Sequence, residues 1–418
     1  MSDAARAVEL AARTSYGRLV ALLAARWRDV ARAEDALGDA LVAALETWPR
    51  TGVPERPEAW LLTAARRRLV DEARHARVGS AKEADLTLVL EEASGAPAAP
   101  FPDARLALLF VCAHPAIEAT ARTPLMLQTV LGLDAARIAS AFLVAPAAMG
   151  QRLVRVKAKI REAGIGFEVP DAGQLAARLE AVLEAIYAAY GTAWDDVTGA
   201  DPRRRGLAEE AVWLGRLVTE LMPAEPEGHG LLALMLHCEA RRPARRDAAG
   251  AYVPLGEQDV SRWSQPHIEE AEHALATAAR RRAPGRFQLE AAIHSAHAAR
   301  ARTGVTDWEA IALLYEGLLA WAPTSGARVA HAAALAEARG ADRGLEALER
   351  VPADAVAAYQ PYWALRAHLL RRAGRAAEAR VAYDRAIGLS EDPAVRAFLI
   401  ARSATSAAPP PRPWAPRT

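Results

Sequence analysis

Apolar residues recur at helical spacing along almost the whole chain. Near the N-terminus, Leu19, Leu22, Leu23, Trp27 and Val30 lie on one stripe of a 3.6-residue period. Residues that favour helices (alanine, leucine, arginine and glutamate) dominate the sequence, and the valine-rich alternating runs typical of strands are absent. The pattern therefore predicts an all-α protein.

Breaks in this periodicity predict the domain boundaries. Residues 79–104 lose the helical pattern and carry five acidic residues against a single lysine, and a second break spans 163–173. We expect a helical bundle at 1–78, an acidic linker at 79–104, a second helical module at 105–168, a large helical domain at 171–402 and a Pro-rich, disordered tail at 403–418.

Residues 134–160 have the layout of a helix-turn-helix. Asp134 is placed to cap a short helix that runs through Ala141. Pro146 suits the first turn of a second helix. We therefore predict a turn between two short helices, a geometry that can place the second helix in the DNA major groove.

The second of these helices separates into a core stripe and a basic stripe. The predicted core positions are Met149, Leu153, Val156 and Ile160. The residues that we predict to contact DNA are Gln151, Arg152, Arg155, Lys157 and Lys159. Glutamine and arginine can read base edges, and arginine and lysine also grip phosphates. The alternative is an ordinary solvated basic face on a structural helix.

A second candidate for nucleic-acid binding lies on a helix predicted from about residue 58 to 75. Its outward stripe is Trp60, Thr63, Arg67 and Arg74, flanked by Arg66 and Arg68, while Leu61, Ala65 and Leu69 face inward. An aromatic side chain beside arginines can grip exposed single-stranded bases by stacking and phosphate pairing. A solvated helix face is the competing interpretation.

An acidic group precedes this helix in the sequence. Glu34, Asp35 and Asp39 lie on one predicted helix with an apolar stripe behind them. The group is either a docking face for a basic partner or the usual solvent side of an amphipathic helix.

A repeat-like unit occurs near the C-terminus. Its spacing is Trp363, Gly374, Ala379, Tyr383 and Ala386, followed by a proline. Large aromatics between paired helices, a glycine in the turn and alanines at the close approach are typical of the tetratricopeptide unit. A generic helical hairpin has the same features.

Composition excludes several classes of protein. The chain has 418 residues, is 52% hydrophobic and carries 52 basic against 51 acidic residues, so it is neither wholly disordered nor polycationic. Its two cysteines cannot form a disulfide framework or a four-ligand zinc site. We find no secretory signal and no apolar run long enough to span a bilayer, which predicts a cytoplasmic protein without a membrane anchor.

The histidines give no support for an enzyme. His267 and His273 have the wrong spacing for the HExxH zinc motif, and no phosphate-binding or dinucleotide-binding glycine loop is present. His294 and His297 have a spacing that can hold a metal, but the sequence signals no third ligand. We therefore predict no catalytic residue, no metal and no cofactor.

Several stretches together resemble the extracytoplasmic-function sigma factors of bacterial RNA polymerase. Residues 13–74 read RTSYGRLVALLAARWRDVARAEDALGDALVAALETWPRTGVPERPEAWLLTAARRRLVDEAR, and the linker and the helix-turn-helix follow them. The stretches LAEEAVWLGRLVTELMPAEPEGHGLLALMLHCEARRP and APGRFQLEAAIHSAHA resemble the subgroup that has a long C-terminal helical extension.

The resemblance implies a role for each segment. Residues 1–78 would be sigma region 2, with Glu34, Asp35 and Asp39 docking on the β′ clamp helices of core RNA polymerase. Trp60, Thr63, Arg66, Arg67 and Arg74 would bind the −10 element of promoter DNA. Residues 105–168 would be region 4, which contacts the β flap and reads the −35 element.

The family further implies that the extension regulates sigma activity, through a protein or small-molecule regulator. This sequence departs from the family where an Asn-Glu-Gly-Tyr run is expected and reads AIYAAYGTAWDD at 185–196. A different class remains open, namely a helix-turn-helix transcriptional regulator with a helical sensor domain. Such a regulator would not need the docking face or the −10 helix.

Overall fold

A computed structural model describes residues 3–78, 103–142, 144–162, 170–194 and 202–405. These residues form helices joined by turns, and no strand occurs among them. One isolated backbone bridge joins Arg246 and Tyr252. The prediction of an all-α protein is confirmed for the part of the chain that the structure describes.

The chain divides into two compact units. The first comprises residues 1–196 and 201–223, and the second comprises 197–200 and 224–418. The predicted acidic linker, except for its last two residues, lies outside the described residues.

Three helices form the first part of unit 1, which we call the region 2 module. They are α1 (Asp3–Trp27), α2 (Val30–Thr51) and α3 (Pro57–Val78). Asp29 caps α2 by accepting a hydrogen bond from the backbone N–H of Arg32 at 3.0 Å. The buried side chains of Leu23, Leu37 and Trp48 form the core between these helices.

Four helices form the next part of unit 1, which we call the helix-turn-helix module. They are α4 (Ala104–Cys112), α5 (Ala119–Thr129), α6 (Ala135–Ala141) and α7 (Pro146–Glu162). Asp134 caps α6 at the predicted position, with the backbone N–H of Arg137 donating to its carboxylate at 2.9 Å. The predicted limits of both helices, Ala141 and Pro146, agree with the structure.

Two further helices, α8 (Ala172–Trp194) and α9 (Pro202–Leu221), pack on the helix-turn-helix module. The buried guanidinium of Arg178 donates to the carbonyl oxygen of Phe110 at 3.1 Å. Arg105 pairs with Glu210 at 2.6 Å and lies over the ring of Trp213. Burial raises the pKa of Glu210 in spite of this arginine. The first helices after the predicted 171 boundary therefore belong to the same compact unit as the helices before it.

Unit 2 is built from helical pairs. Its helices are α10 (Pro226–Arg241), α11 (Gln265–Ala279), α12 (Arg286–Ala298), α13 (Arg300–Thr303), α14 (Trp308–Trp321), α15 (Ser325–Arg339), α16 (Ala341–Glu349), α17 (Ala353–Val356), α18 (Gln360–Arg372), α19 (Ala376–Leu389) and α20 (Pro393–Thr405). Three short 3-10 helices lie between α10 and α11, at Arg242–Ala244, Leu255–Glu257 and Val260–Arg262.

The hairpin predicted near the C-terminus is formed by α18 and α19. Gly374 makes its turn with a φ of 76°, a left-handed conformation that favours glycine. Ala379, Tyr383 and Ala386 are buried between the helices. Helix α20 continues to Thr405, three residues into the predicted disordered tail, because Leu399 packs into the same core. The rest of that tail lies outside the described residues.

Within the part of the chain that the structure covers, we find no helix that combines the length and apolar character needed to cross a bilayer.

Candidate nucleic-acid interface

Helix α7 presents the predicted basic stripe on the surface of the helix-turn-helix module. Its core positions Met149, Leu153 and Val156 are buried, which fixes the rotation of the helix. Gln151, Arg155 and Lys159 are consequently exposed, and Arg152 is half-buried. The structure thus brings four of the five residues that we predict to contact DNA onto one accessible face.

A basic cavity adjoins this face. It has a volume of about 910 Å³, and Arg152, Arg155 and Lys159 of α7 line it together with the segment from Pro115 to Arg122. Arg122 holds this segment in place, since its guanidinium donates to the carbonyl oxygens of Ile117 at 2.8 Å and Pro115 at 3.0 Å. The sequence pattern did not identify Arg122, because it lies on another helix than the predicted stripe.

Lys157 points to a different neighbour. Its ammonium lies 2.8 Å from Oε2 of Glu34, which is buried. Lys157, a predicted DNA contact, and Glu34, a predicted docking residue, therefore form an ion pair with each other, because α7 packs against α2 at this point. In this arrangement Glu34 is covered, and the Lys157 ammonium is paired with it although 24% of the lysine side chain is exposed. The predicted contacts of both residues therefore require the two modules to separate.

Helix α3 carries the second predicted stripe. Arg66, Arg67 and Arg74 are exposed. Trp60 is only half-buried and packs edge-to-face on Trp48 with ring centroids 5.5 Å apart, which holds the indole beside the arginines. The Thr63 hydroxyl donates to the carbonyl oxygen of Ala59 at 2.8 Å. The five predicted residues thus follow the same helix, with the aromatic ring fixed against the core.

The outward face of α2 combines acidic and apolar side chains. Asp35 and Asp39 are exposed, and Asp39 pairs with Arg68 at 2.8 Å. Val42 and Leu45 on the next turns are 55% and 47% exposed. A mixed stripe of this kind is typical of a protein docking surface, where apolar area adds affinity to charge complementarity. The sequence analysis identified only its acidic part.

The histidine pair of unit 2 does not form a metal site. His294 is half-buried, and its Nδ1 lies 2.8 Å from the guanidinium of Arg241. The described residues contain no group of three potential metal ligands. A cation beside the ring opposes metal binding, so the metal alternative has no support here.

Comparison with known proteins identifies the domain that contains helices α1 to α3. Residues 12–78 match the model of sigma-70 region 2. The N-terminal part of the chain is a sigma-70 region 2.

The C-terminal part of the chain and the chain as a whole are similar to proteins without an established role. Residues 178–279 match a family of unknown function, DUF6596. Over 398 residues the chain is 39% identical to "Uncharacterized protein R00370" of Rhizobium meliloti (strain 1021), and the similarity covers 94% of each chain. The chain belongs to the same full-length family as this relative. No solved structure matches the chain.

Proposed function

We propose that this protein is a sigma factor of the sigma-70 family, of the extracytoplasmic-function class. It would bind core RNA polymerase, direct promoter recognition and transcription initiation in the cytoplasm, and require no cofactor. The observation that carries the proposal is the combination of a sigma-70 region 2 at residues 12–78 with a helix-turn-helix on α6 and α7 in the same chain.

The two DNA-facing surfaces support recognition of two promoter elements. Arg155 and Lys159 on α7 are exposed beside a basic cavity, which suits the major groove and the phosphates of the −35 element. Arg67 and the fixed indole of Trp60 on α3 suit an unstacked strand at the −10 element.

Helix α2 is the proposed docking surface for core polymerase. Asp35 and Asp39 supply negative charge, and Val42 and Leu45 supply apolar area for the β′ clamp helices. The β flap would contact the helix-turn-helix module. The helical hairpins of unit 2 fit a tetratricopeptide-like extension that modulates activity through a protein or small-molecule regulator.

The test is run-off transcription with purified core polymerase on a promoter library. We expect the full chain to confer selective initiation, and Arg155→Ala to weaken use of the selected −35 sequence. Val154→Ala, an exposed neighbour on α7, is the matched control. A chain that binds DNA by itself and never associates with core polymerase would instead support the helix-turn-helix regulator.

A further inference from the structure

Arg241 is a buried cation of unit 2 that lacks an acidic partner. It is the last residue of α10 and is only 6% exposed. Its guanidinium donates to the carbonyl oxygen of His237 at 3.3 Å and lies 2.8 Å from Nδ1 of His294. Within the described part of the chain, no carboxylate pairs with this guanidinium. Because an isolated charge in a protein interior is costly, a buried arginine normally has an anion beside it.

The carboxylates near Arg241 have other partners. The C-terminal end of α10 supplies only a partial negative charge, so it offsets the guanidinium incompletely. Three carboxylates of the surrounding helices are engaged as follows: Glu239 pairs with Arg242 at 2.6 Å, Glu272 accepts a hydrogen bond from Oγ of Ser295 at 2.6 Å, and Glu290 pairs with Arg286 at 2.8 Å.

A second guanidinium adds positive charge to the same part of unit 2. Burial and then the charge of Arg241 lower the pKa of Arg300, so the two cations are close enough to repel each other. Arg300 donates to the backbone carbonyl oxygens of Leu255, Gly256 and Gln258 at 2.7 to 3.1 Å. Because carbonyl oxygens carry only partial charge, these bonds orient Arg300 without balancing the two cations.

Three neutral histidines lie around Arg241. Burial, followed by the charge of Arg241, lowers the pKa of His237 to about 3 and that of His297 to about 4. The same two causes hold the pKa of His294 well below its usual value. A neutral imidazole keeps one N–H donor. His237, one turn before Arg241 and 1% exposed, has no hydrogen-bond partner at either ring nitrogen among the described residues, so it offers an unused donor beside the cation.

The cluster is partly open to solvent on the side of α12 and α14. His294, His297 and Tyr315 are half-buried. Burial and the charge of Glu290 raise the pKa of Tyr315 to about 12, with Arg241 opposing, so its hydroxyl remains a donor. Since Arg241 itself is almost fully covered, the opening suits a small ion or the end group of a small molecule and is too narrow for a nucleic-acid backbone.

We propose that Arg241, His237 and His294 form a binding site for a small oxyanion, namely the phosphate or carboxylate group of a small molecule. The guanidinium presents its N–H groups in a planar fork that matches either group. Neutral imidazoles add donors without adding charge, and the bound oxyanion supplies the negative charge that Arg241 lacks. The site exists whether or not the chain is a sigma factor, so its test needs no polymerase.

The thiol of Cys238 reports on this site. Its Sγ lies 3.7 Å from Nε2 of His294 and 3.8 Å from the guanidinium of Arg241. The thiol is buried, so its alkylation requires a local opening that an anion held by these two side chains would oppose. Cys112, which is buried in unit 1, is the internal reference. Mass spectrometry measures the alkylation rate of each thiol in the full chain.

The probes are inorganic phosphate and succinate at about 20 mM, enough to saturate a millimolar site, compared with chloride at the same ionic strength. We expect phosphate, succinate or both to slow alkylation of Cys238 at least about fivefold and to leave Cys112 unchanged. A response to phosphate alone assigns a phosphoryl ligand, and a response to succinate alone assigns a carboxylate ligand. Equal rates in all three salts, or equal slowing of both thiols, would overturn the proposal.

Arg241→Met should abolish the protection of Cys238 by either anion. Arg302→Met, which changes an exposed arginine of α13 and alters the net charge equally, is the matched control and should retain it. Protection that survives in Arg241→Met would place the anion elsewhere and refute the site. If the methionine variant unfolds unit 2, Arg241→Lys replaces it, because lysine keeps the charge and loses the fork. The anion concentration for half-protection should then rise about tenfold, and an unchanged value would equally refute the site.

Discussion

The ammonium of Lys157 lies 2.8 Å from the buried carboxylate of Glu34, and the two residues belong to different modules of unit 1. We expect Lys157→Ala to lower the free energy of unfolding by ~1–3 kcal/mol in urea denaturation. This is less than the loss for a fully buried pair, because a quarter of the lysine side chain is exposed. Lys159→Ala, on the same helix and fully exposed, should have almost no effect on stability. Equal effects of both variants would show that the pair does not hold the modules.

The exposed stripe of α7 leads to a prediction about DNA affinity. Arg155→Ala should weaken binding of the polymerase complex to its −35 sequence by ~1–3 kcal/mol and reduce the salt dependence of binding. Fluorescence anisotropy over a range of salt concentrations measures both quantities. Val154→Ala should leave both unchanged, although Val154 is 66% exposed on the same helix. Binding that is insensitive to Arg155 would contradict the recognition-helix assignment.

The acidic stripe of α2 leads to a prediction about polymerase binding. Asp35→Arg should weaken binding to core polymerase by about tenfold or more, because it reverses one of the two exposed acidic charges of the stripe. Glu55→Arg, an exposed residue between α2 and α3, has the same change in net charge and is the control. Pull-down with titrated core enzyme compares the two variants. An equal loss in both would indicate a general charge effect instead of a docking site.

The packing of α8 on the helix-turn-helix module predicts where the chain can be truncated. A protein ending at Pro223 keeps unit 1 whole and should unfold cooperatively. A protein ending at Pro170 lacks α8, whose buried side chains include Leu179, Val182 and Ile186. Its free energy of unfolding should be lower by more than about 5 kcal/mol. Thermal unfolding followed by circular dichroism distinguishes them. A stable 1–170 fragment would contradict the structural role of α8.

Buried histidines predict that unit 2 becomes less stable in acid. Burial, reinforced by Arg241 and Arg300, lowers the pKa of His297 from 6.5 to about 4. The folded state therefore disfavours the proton that the unfolded state accepts below pH 6.5, and stability should fall between pH 6.5 and 4 by about 1.4 kcal/mol per pH unit for this residue. The loss should end below the folded-state pKa.

His297→Phe tests this pH dependence. Phenylalanine keeps an aromatic ring against Trp308, whose centroid lies 5.3 Å from that of His297, but it cannot accept a proton. The free energy of unfolding, measured with denaturant at pH 7 and at pH 4.5, should therefore differ less between the two pH values in the variant than in the wild type. His273→Phe changes an exposed histidine of unit 2 and should retain the wild-type difference. If His297→Phe loses as much unfolding free energy between pH 7 and pH 4.5 as the wild type, the acid sensitivity comes from other groups.

The periodicity of the sequence determined the helices and the rotation of most of them. Met149, Leu153 and Val156 are buried as predicted and Ile160 is half-buried, because a 3.6-residue period places these four apolar residues on one side of α7. The same period placed Arg155 and Lys159 outside. Asp134 and Pro146 marked the helix limits, because capping and proline geometry depend on a few adjacent residues.

Only the tertiary structure decided which exposed positions meet each other. Glu34 reads as a surface acid, yet α7 buries it, since a partner helix more than a hundred residues away leaves no trace in local periodicity. Gly17 reads as a neutral helix residue until Val130 lies against it. That α8 belongs to unit 1 was also unpredictable, because Arg178 donates to a carbonyl oxygen of α4 that lies 68 residues earlier in the chain. Local patterns specify elements, whereas the pairing of their faces depends on shape and charge that come together only on folding.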